Sequence, residues 1–298
     1  MRCMAISCLW LAATPAIAMA QRVPGRDLLD FPLGTLGDAP TLSATTGLGL
    51  ANPAAVSIPD GHLARISLSA LQTPADVGVT LQAIAGAFAF PQHVAVAFSI
   101  VQASVNDIVR TDLDPQSLPG DIPYSTSMIS AGAARRQENV TVGVMVRYRV
   151  GTMDDERRGA LGLDAGVLAD SLFGLPIRAG ASTFLWRPAN RSDEETTYSG
   201  AVDARIFHGR ALREARVGYS LTLIEQRTSE HYAFGSASGG PWDASAGILR
   251  HDSSGEGEWG FRIGIGLRHT RYHVGVARDG ARDGIGGIYQ FTLTSVIR

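Results

Sequence analysis

The chain has 298 residues, of which 45% are hydrophobic and 18% are charged, and its formal net charge is -2. This balance argues against a nucleic-acid-binding protein, since such proteins concentrate basic side chains on one surface. Both cysteines, Cys3 and Cys8, lie near the amino terminus, so the remainder of the chain has no thiol for a disulfide or a metal site.

Residues 1–20 have the three parts of a secretory signal peptide. Arg2 supplies a basic start, an apolar run follows, and the small residues Ala18 and Ala20 precede Gln21. A transmembrane helix is the alternative, but the apolar run is shorter than the roughly 20 residues that a span requires. We therefore expect export and cleavage after Ala20.

Residues 21–62 contain five prolines, several glycines and no sustained hydrophobic period. Proline and glycine interrupt both helices and strands, so this composition is typical of irregular structure. We predict that these residues form an irregular N-terminal segment that precedes the main domain.

A hydrophobic period of two begins near Leu63 and persists to the end of the chain. In residues 140–150, one predicted face carries only valine and tyrosine, whereas the opposite face includes Arg147 and Arg149. Residues 259–268 repeat this separation. A helix would mix the two sets, so the pattern predicts β-strands with one apolar face and one polar face.

Weaker versions of the pattern bring the total to about fourteen strands in residues 63–298, and many approach the roughly 9 to 11 residues that cross a bilayer at a tilt. They lie at residues 63–71, 77–90, 94–104, 124–136, 159–170, 177–187, 196–208, 214–227, 229–238, 242–251, 271–278 and 284–297. Compact connections alternate with generally larger loops, as in outer-membrane barrels. We predict an all-β fold, a transmembrane antiparallel up-and-down β-barrel in the bacterial outer membrane. A secreted soluble β-sandwich that binds carbohydrate or protein is the alternative.

Aromatic residues often occur in pairs two positions apart near the predicted strand ends. Such pairs share one face of a strand, where their rings would form the girdles of a membrane barrel. Ordinary cross-strand packing in a soluble sandwich is the alternative. The pairs are Phe184 with Trp186, Tyr232 with Phe234, Trp259 with Phe261, and Tyr289 with Phe291.

The polar faces of the predicted strands carry more basic than acidic residues. The candidates for the lining of the lumen are Arg147, Arg149, Asp164, Asp203, Arg205, Arg262 and Arg268. A cationic lumen would attract anions, whereas the alternative is a self-paired set of charges that fills a narrow barrel. We also expect Val144→Arg on the lipid face to cost more stability than Gly143→Ser on the polar face.

The segment Thr46-Gly47-Leu48-Gly49-Leu50-Ala51-Asn52-Pro53-Ala54-Ala55 resembles a glycine-rich stretch, ending in Asn-Pro-Ala, near the mature N-terminus of outer-membrane barrels of the FadL and PorV type. The resemblance implies a barrel of about fourteen strands with an N-terminal hatch folded into it. Here the hatch would include Asn52, Pro53 and Ala54. Asn52 and Pro53 also suit the first turn of a helix, because the asparagine side chain caps free amides and proline is preset for that turn. A surface turn is the alternative.

The C-terminal residues 286–293 are similar to the signal that the barrel assembly machinery reads. We therefore expect that machinery and outer-membrane lipid among the partners.

The resemblance implies one of two functions. The FadL precedent is passive transport of small hydrophobic or amphipathic solutes, and the PorV precedent is an outer-membrane component of protein secretion by the type IX system. The corresponding partners are hydrophobic or anionic small molecules or secretion components, and no nucleic acid.

The residues themselves favour no enzyme. The chain has no Gly-x-Ser-x-Gly elbow, and its histidines lack metal-ligand spacing, so we predict no catalytic residue, no metal and no cofactor. An outer-membrane lipid-modifying enzyme built on a barrel is the alternative function.

Overall fold

The computed structural model describes residues 22–30, 39–43, 49–56, 58, 62–106, 108, 121–186, 195–210, 212–224, 228–253, 256–280 and 287–298. The predicted signal peptide, residues 1–20, lies outside these described residues. The described part of the N-terminal region contains three short 3-10 helices, Asp27–Leu29, Pro40–Leu42 and Pro53–Ala55. None of the helices in the described ranges is long and apolar enough to span a membrane.

The rest of the described chain consists mainly of antiparallel strands. Their bounds are β1 Ala64–Gln72, β2 Val79–Phe90, β3 Val94–Val105, β4 Tyr124–Gln137, β5 Val140–Met153, β6 Glu156–Ala169, β7 Ile177–Phe184, β8 Thr197–Phe207, β9 Glu214–Ile224, β10 Thr228–Gly239, β11 Trp242–Ser253, β12 Glu256–His269, β13 Tyr272–Asp279 and β14 Ile288–Ile297. Every strand pairs with its neighbours in the sequence, and β1 pairs with β14 from Ala64↔Ile297 to Gln72↔Tyr289. This closed up-and-down barrel confirms the predicted fold.

The first and last strands begin and end at the same rim of the barrel, because β1 starts where β14 stops. We call this rim the terminus end and the opposite rim the loop end. Connections at the terminus end include the short turns at residues 138–139 and 240–241. The strand ends that flank the longest intervals between strands, residues 106–123 and 185–196, lie at the loop end.

The two faces of the wall differ sharply in chemistry, and β5 shows it most clearly. Val142, Val144 and Val146 point outward and are about half exposed, whereas Arg147 and Arg149 point inward and have no exposed surface. In a closed barrel every backbone group of the wall can pair, and an apolar exterior can then face hydrocarbon. This is the architecture by which strands cross a bilayer, and it places the chain in a bacterial outer membrane.

The aromatic pairs do not all face outward as predicted. Trp259, Phe261, Tyr289 and Phe291 are exposed on the exterior, but Tyr232 and Phe234 are buried inside the barrel. There they pack with Leu42 and Ala54 from the N-terminal region. The prediction failed for this pair because period two separates two faces without saying which is apolar, and part of this lumen is apolar.

The pairing between β6 and β7 is short. It covers only Gly166↔Ser182 to Ala169↔Ala179, whereas β5 and β6 pair along their whole length. Beyond the end of β7, Leu185 has a φ of 55° and turns its side chain into the barrel. A non-glycine residue holds such a conformation only where its surroundings fix it. The wall therefore has a local irregularity between β6 and β7.

Candidate functional site

The N-terminal region lies inside the barrel. We call its described residues, 22–30, 39–43 and 49–56, the lumenal segment. Its helix Pro53–Ala55 contacts β4, β5 and β6, Pro40–Leu42 contacts β7 and β8, and Asp27–Leu29 contacts β3. The segment also contributes apolar side chains to three buried clusters within the barrel. It thus occupies the space that would otherwise form a channel.

Asn52 ties the lumenal segment to itself and to the wall. Its Oδ1 accepts a hydrogen bond from the Ala54 amide at 2.9 Å, which caps the short helix. Its Nδ2 donates to the carbonyls of Thr41, at 2.9 Å, and Val167, at 3.3 Å. Because Asn52 is almost fully buried, these bonds satisfy polar atoms that have no access to water.

Glycines on the inner face of the wall allow the segment to approach the strands. A Cβ added to Gly143 would clash with the backbone of Pro53, and one added to Gly166 would clash with the Asn52 side chain. Backbone cannot move aside as a flexible side chain can. A serine at Gly143 would therefore meet protein rather than water, which argues against the expectation that Gly143→Ser costs less stability than Val144→Arg.

Two buried guanidinium groups on β5 hold the segment by its carbonyls. Arg147 Nη2 donates to Leu50 O at 2.7 Å and to Gly49 O at 3.2 Å, and its Nε bonds Asp164. Arg149 donates to Pro24 O at 2.6 Å and to Val23 O at 2.9 Å. Charge-assisted bonds to carbonyls are stronger than neutral ones. Since the two arginines grip different stretches, both ends of the segment are fastened to one strand.

Asp164 connects these contacts to the irregular wall. Its Oδ1 accepts a hydrogen bond at 2.7 Å from the amide of Leu185, the residue that turns inward beyond β7. Its Oδ2 accepts from Arg147. One buried carboxylate therefore couples the grip on the lumenal segment to the break in the β6–β7 pairing.

Two of the remaining predicted lumen residues, Asp203 and Arg262, form buried ion pairs. Asp203, also buried, pairs with Arg178 and Arg216 near the terminus end. Arg262 is buried, bonds Asp279 at 2.8 Å and Glu230 at 3.5 Å, and lies 4.7 Å from the centre of the Tyr232 ring.

Two candidates lie at the rim and not in the enclosed lumen. Arg205 is exposed where β8 ends in a register shift, and Arg268 is exposed at the terminus end of β12, where it bonds Asp243 at 3.1 Å. The prediction placed both arginines in the lumen because it could not show that their strands extend beyond the enclosed part of the barrel. With most inward arginines matched by carboxylates, the lumen is a set of paired charges and not the cationic surface considered above.

Two further residues belong to the site: sequence reasoning missed Arg26 and assigned Phe184 to the wrong face. Arg26 is buried, donates to Thr197 Oγ1 at 2.6 Å and lies 5.2 Å from the centre of the Phe184 ring. Phe184 also lies under Arg147, at 4.7 Å, so it faces the lumen and not the predicted girdle. Arg26 belongs to a stretch without a period, which leaves nothing to indicate its direction. Among the described residues, no three acidic or histidine side chains form a group that could hold a metal ion.

An apolar groove of about 800 Å³ lies on the outside of β6 to β9. Its floor is built from small residues, including Ala165, Gly166 and Ala181, and its lining includes Tyr198, Val202, Tyr219 and Leu223. Two residues of the lumenal segment lie directly behind this floor, on the lumen side. Asn52 lies against Gly166, and the carbonyl of Ala51 accepts a hydrogen bond from Ser182 Oγ at 2.8 Å. Only the backbone of one strand separates the lumenal segment from the groove at Gly166.

No family model matches the chain, and no curated protein matches it. Solved structures similar to it include a low-pH structure of OprB from Pseudomonas putida, 7% identical with a TM-score of 0.42, covering 79% of this chain and 92% of that one. A variant of the Rh. blastica porin is 8% identical with a TM-score of 0.43, covering 79% and 99%. A bacterial polysaccharide outer-membrane secretin is 10% identical with a TM-score of 0.45, covering 80% and 100%.

Proposed function

We propose that the protein passes small hydrophobic or amphipathic solutes across the outer membrane, with the lumenal segment as a hatch. The observation that carries this proposal is the position of Gly166. The buried Asn52 of the hatch lies on one side of this glycine, and the apolar exterior groove lies on the other. Displacement of the hatch would uncover the lumen side of the wall at the point where the β6–β7 pairing ends, and a lateral path through the unpaired wall beside Gly166 would lead to a groove that already faces hydrocarbon.

The chemistry of the groove suits a solute that prefers lipid to water. Its lining is mostly Ala, Gly, Val, Leu and Tyr, and no charged side chain contributes to it. Ligand sites of this kind gain binding energy from buried apolar area, and a few polar groups fix the orientation. A solute that leaves the lumen here would enter the membrane without crossing water.

This function agrees with the one that the resemblance to FadL-type barrels implies. A secretion component of the PorV type would need the barrel surface for a partner, and it would not depend on an open groove. Insertion by the barrel assembly machinery belongs to both proposals.

The test is uptake of the hydrophobic dye phenylnaphthylamine by cells that express the protein in an intact outer membrane. Ala181 lies on the groove floor, so Ala181→Trp should fill it and slow uptake toward the rate of cells without the protein. Ala131 is also exposed on the exterior, but it lies on β4, away from the groove, so Ala131→Trp is the matched control. Equal rates for both variants and the wild type would contradict the proposal.

A further inference from the structure

Arg278 lies on the lipid-facing side of the barrel near the loop end of β13. Its neighbours Ala277 and Asp279 are buried inward, which directs Arg278 outward, and it is exposed. Its guanidinium carbon lies 5.6 Å from the ring centre of Phe261 and 5.6 Å from that of Tyr289. The two aromatic neighbours lie on β12 and β14, so the side chain is bracketed by rings from both adjacent strands.

Glycines complete the surroundings of these three side chains. A Cβ added to Gly287 would lie 3.0 Å from Arg278 Nε, and one added to Gly280 would lie 2.8 Å from the Phe261 ring. Side chains at either position would push the guanidinium or the ring away. We call Arg278, the rings of Phe261 and Tyr289, and these two glycines the Arg278 cradle. The absence of a Cβ at both glycines leaves room for the guanidinium and the Phe261 ring.

The charge of the Arg278 cradle is unbalanced. In the described part of the chain, Arg278 makes no ion pair and no hydrogen bond to a carboxylate. Arg250 is the instructive contrast, because it also points outward near the loop end and lies 5.8 Å from the centre of the Trp259 ring, yet it bonds Asp252 at 2.9 Å. An arginine stays charged at every physiological pH, so an anion that reaches Arg278 would gain charge-assisted hydrogen bonds.

The barrel wall is short along the membrane normal where the Arg278 cradle lies. β13 has only eight residues, whereas the adjacent β12 has 14. Between Tyr272 and Arg278, only Val274 and Val276 point outward on β13. At the other rim, Arg271 lies 5.0 Å from the centre of the Tyr272 ring. A bilayer thins locally against a short apolar band, which brings lipid headgroups close to a guanidinium that reaches upward.

We propose that the Arg278 cradle binds the phosphate group of an anionic membrane lipid in the leaflet at the loop end. The guanidinium supplies charge-assisted hydrogen bonds to the phosphate oxygens. The rings of Phe261 and Tyr289 hold the guanidinium flat and pack against the first carbons of the acyl chains. The site is separate from the groove on β6 to β9, so it does not depend on the function proposed above.

The test is a titration of the purified full chain in dodecylmaltoside micelles with bisphosphorylated lipid A, in which native mass spectrometry measures the lipid-bound fraction. Arg278→Gln should weaken binding by about tenfold, the loss of a charge-assisted contact. Arg278→Lys keeps the charge but loses the planar stacking, so its affinity for lipid A should lie between those of the wild type and Arg278→Gln. Arg250→Gln is the matched control and should bind as the wild type does.

Three results would overturn the proposal. The first is equal binding by Arg278→Gln and the wild type, with both shown to be folded by heat-modifiable migration. The second is equal binding of dephosphorylated lipid A, which would show that acyl chains alone are bound. The third is full competition by inorganic phosphate, which would show a site for soluble phosphate.

Discussion

Arg147 is a fully buried cation inside a membrane barrel, and every contact that makes this tolerable comes from the chain itself. Asp164 neutralises it, Ser130 and two carbonyls of the lumenal segment accept hydrogen bonds from it, and Phe184 lies against it. Period two predicts that Arg147 points inward. It could not predict the carbonyl partners, because every residue has a carbonyl and the sequence therefore carries no mark of which one is used.

Removal of Arg147 should expose how much the barrel depends on this set of contacts. Arg147→Met leaves Asp164 buried without its cation, which we expect to cost about 3 to 5 kcal/mol in the free energy of unfolding. Urea titration of the protein refolded into lipid vesicles measures it. The double variant Arg147→Met with Asp164→Asn removes both charges and should recover part of the loss. A double variant that costs the sum of the two single changes would contradict the pairing.

The lipid face gives a second prediction at the same scale. Val144 lies within β5, away from both of its ends, and points outward, so Val144→Arg should cost about 2 to 4 kcal/mol in the same unfolding titration. Val140 also points outward but begins the strand at the terminus end, where Val140→Arg should cost about 0 to 1 kcal/mol. Equal costs would show that β5 does not cross the bilayer along its length.

Among the elements, the strands were predictable and the lumenal segment was only partly so. The alternating polarity of residues 140–150 suffices to locate β5, Val140–Met153, within a few positions. The sequence predicted residues 177–187 as one strand, but β7 ends at Phe184 because Leu185 turns inward. A leucine at this position fits either face, so its direction leaves no trace in the pattern. Asn52 was predictable as a helix cap, whereas its bonds to Thr41 and Val167 depend on distant parts of the chain.

The close fit between the lumenal segment and β5 can be tested with a single methyl group. Gly143→Ala should push Pro53 away from the wall and loosen the segment, because the added carbon meets backbone. Trypsin cleavage after Arg26, which is buried inside the barrel, should then become several-fold faster. Gly200→Ala is the control, since its nearest non-neighbouring atom would be 4.0 Å away. Unchanged protection of Arg26 in Gly143→Ala would mean that the wall adapts without moving the segment.

At the scale of the whole molecule, strand pairing and lumen filling have separate causes. Pairing closes the barrel through fourteen strands, most of which turn an apolar face to the membrane, and it makes no use of the lumenal segment. Filling depends on contacts between the segment and the strands β3 to β8, and on packing against inward side chains of other strands such as Tyr232 and Phe234 of β10. Composition and period two predicted the first, because every strand carries its own signal. They could not predict the second, because it depends on which residues, distant in the sequence, the closed barrel brings together.

Deletion of the lumenal segment should therefore open the barrel without unfolding it, and the size of the deletion should matter. Removal of residues 47–55 takes away the Asn52 helix but leaves Val23 and Pro24 bound to Arg149. Removal of residues 22–56 takes away all of these obstructions, so its single-channel conductance in a planar bilayer should be much larger. Heat-modifiable migration checks that both variants still form closed barrels.

In the larger deletion, ion selectivity reports which charges line the opened path. Arg147 keeps Asp164 as its partner, but Arg149 loses the carbonyls of Val23 and Pro24 and would face water. Arg149→Gln in that background should therefore shift the reversal potential toward cation preference, and Arg147→Gln should shift it further because it leaves Asp164 unbalanced. Both shifts should grow at low salt, where the Debye length rises to about 30 Å at 0.01 M. Equal conductance of the two deletions would place residues 22–30 outside the conducting path, and an unchanged reversal potential would remove Arg149 from its lining.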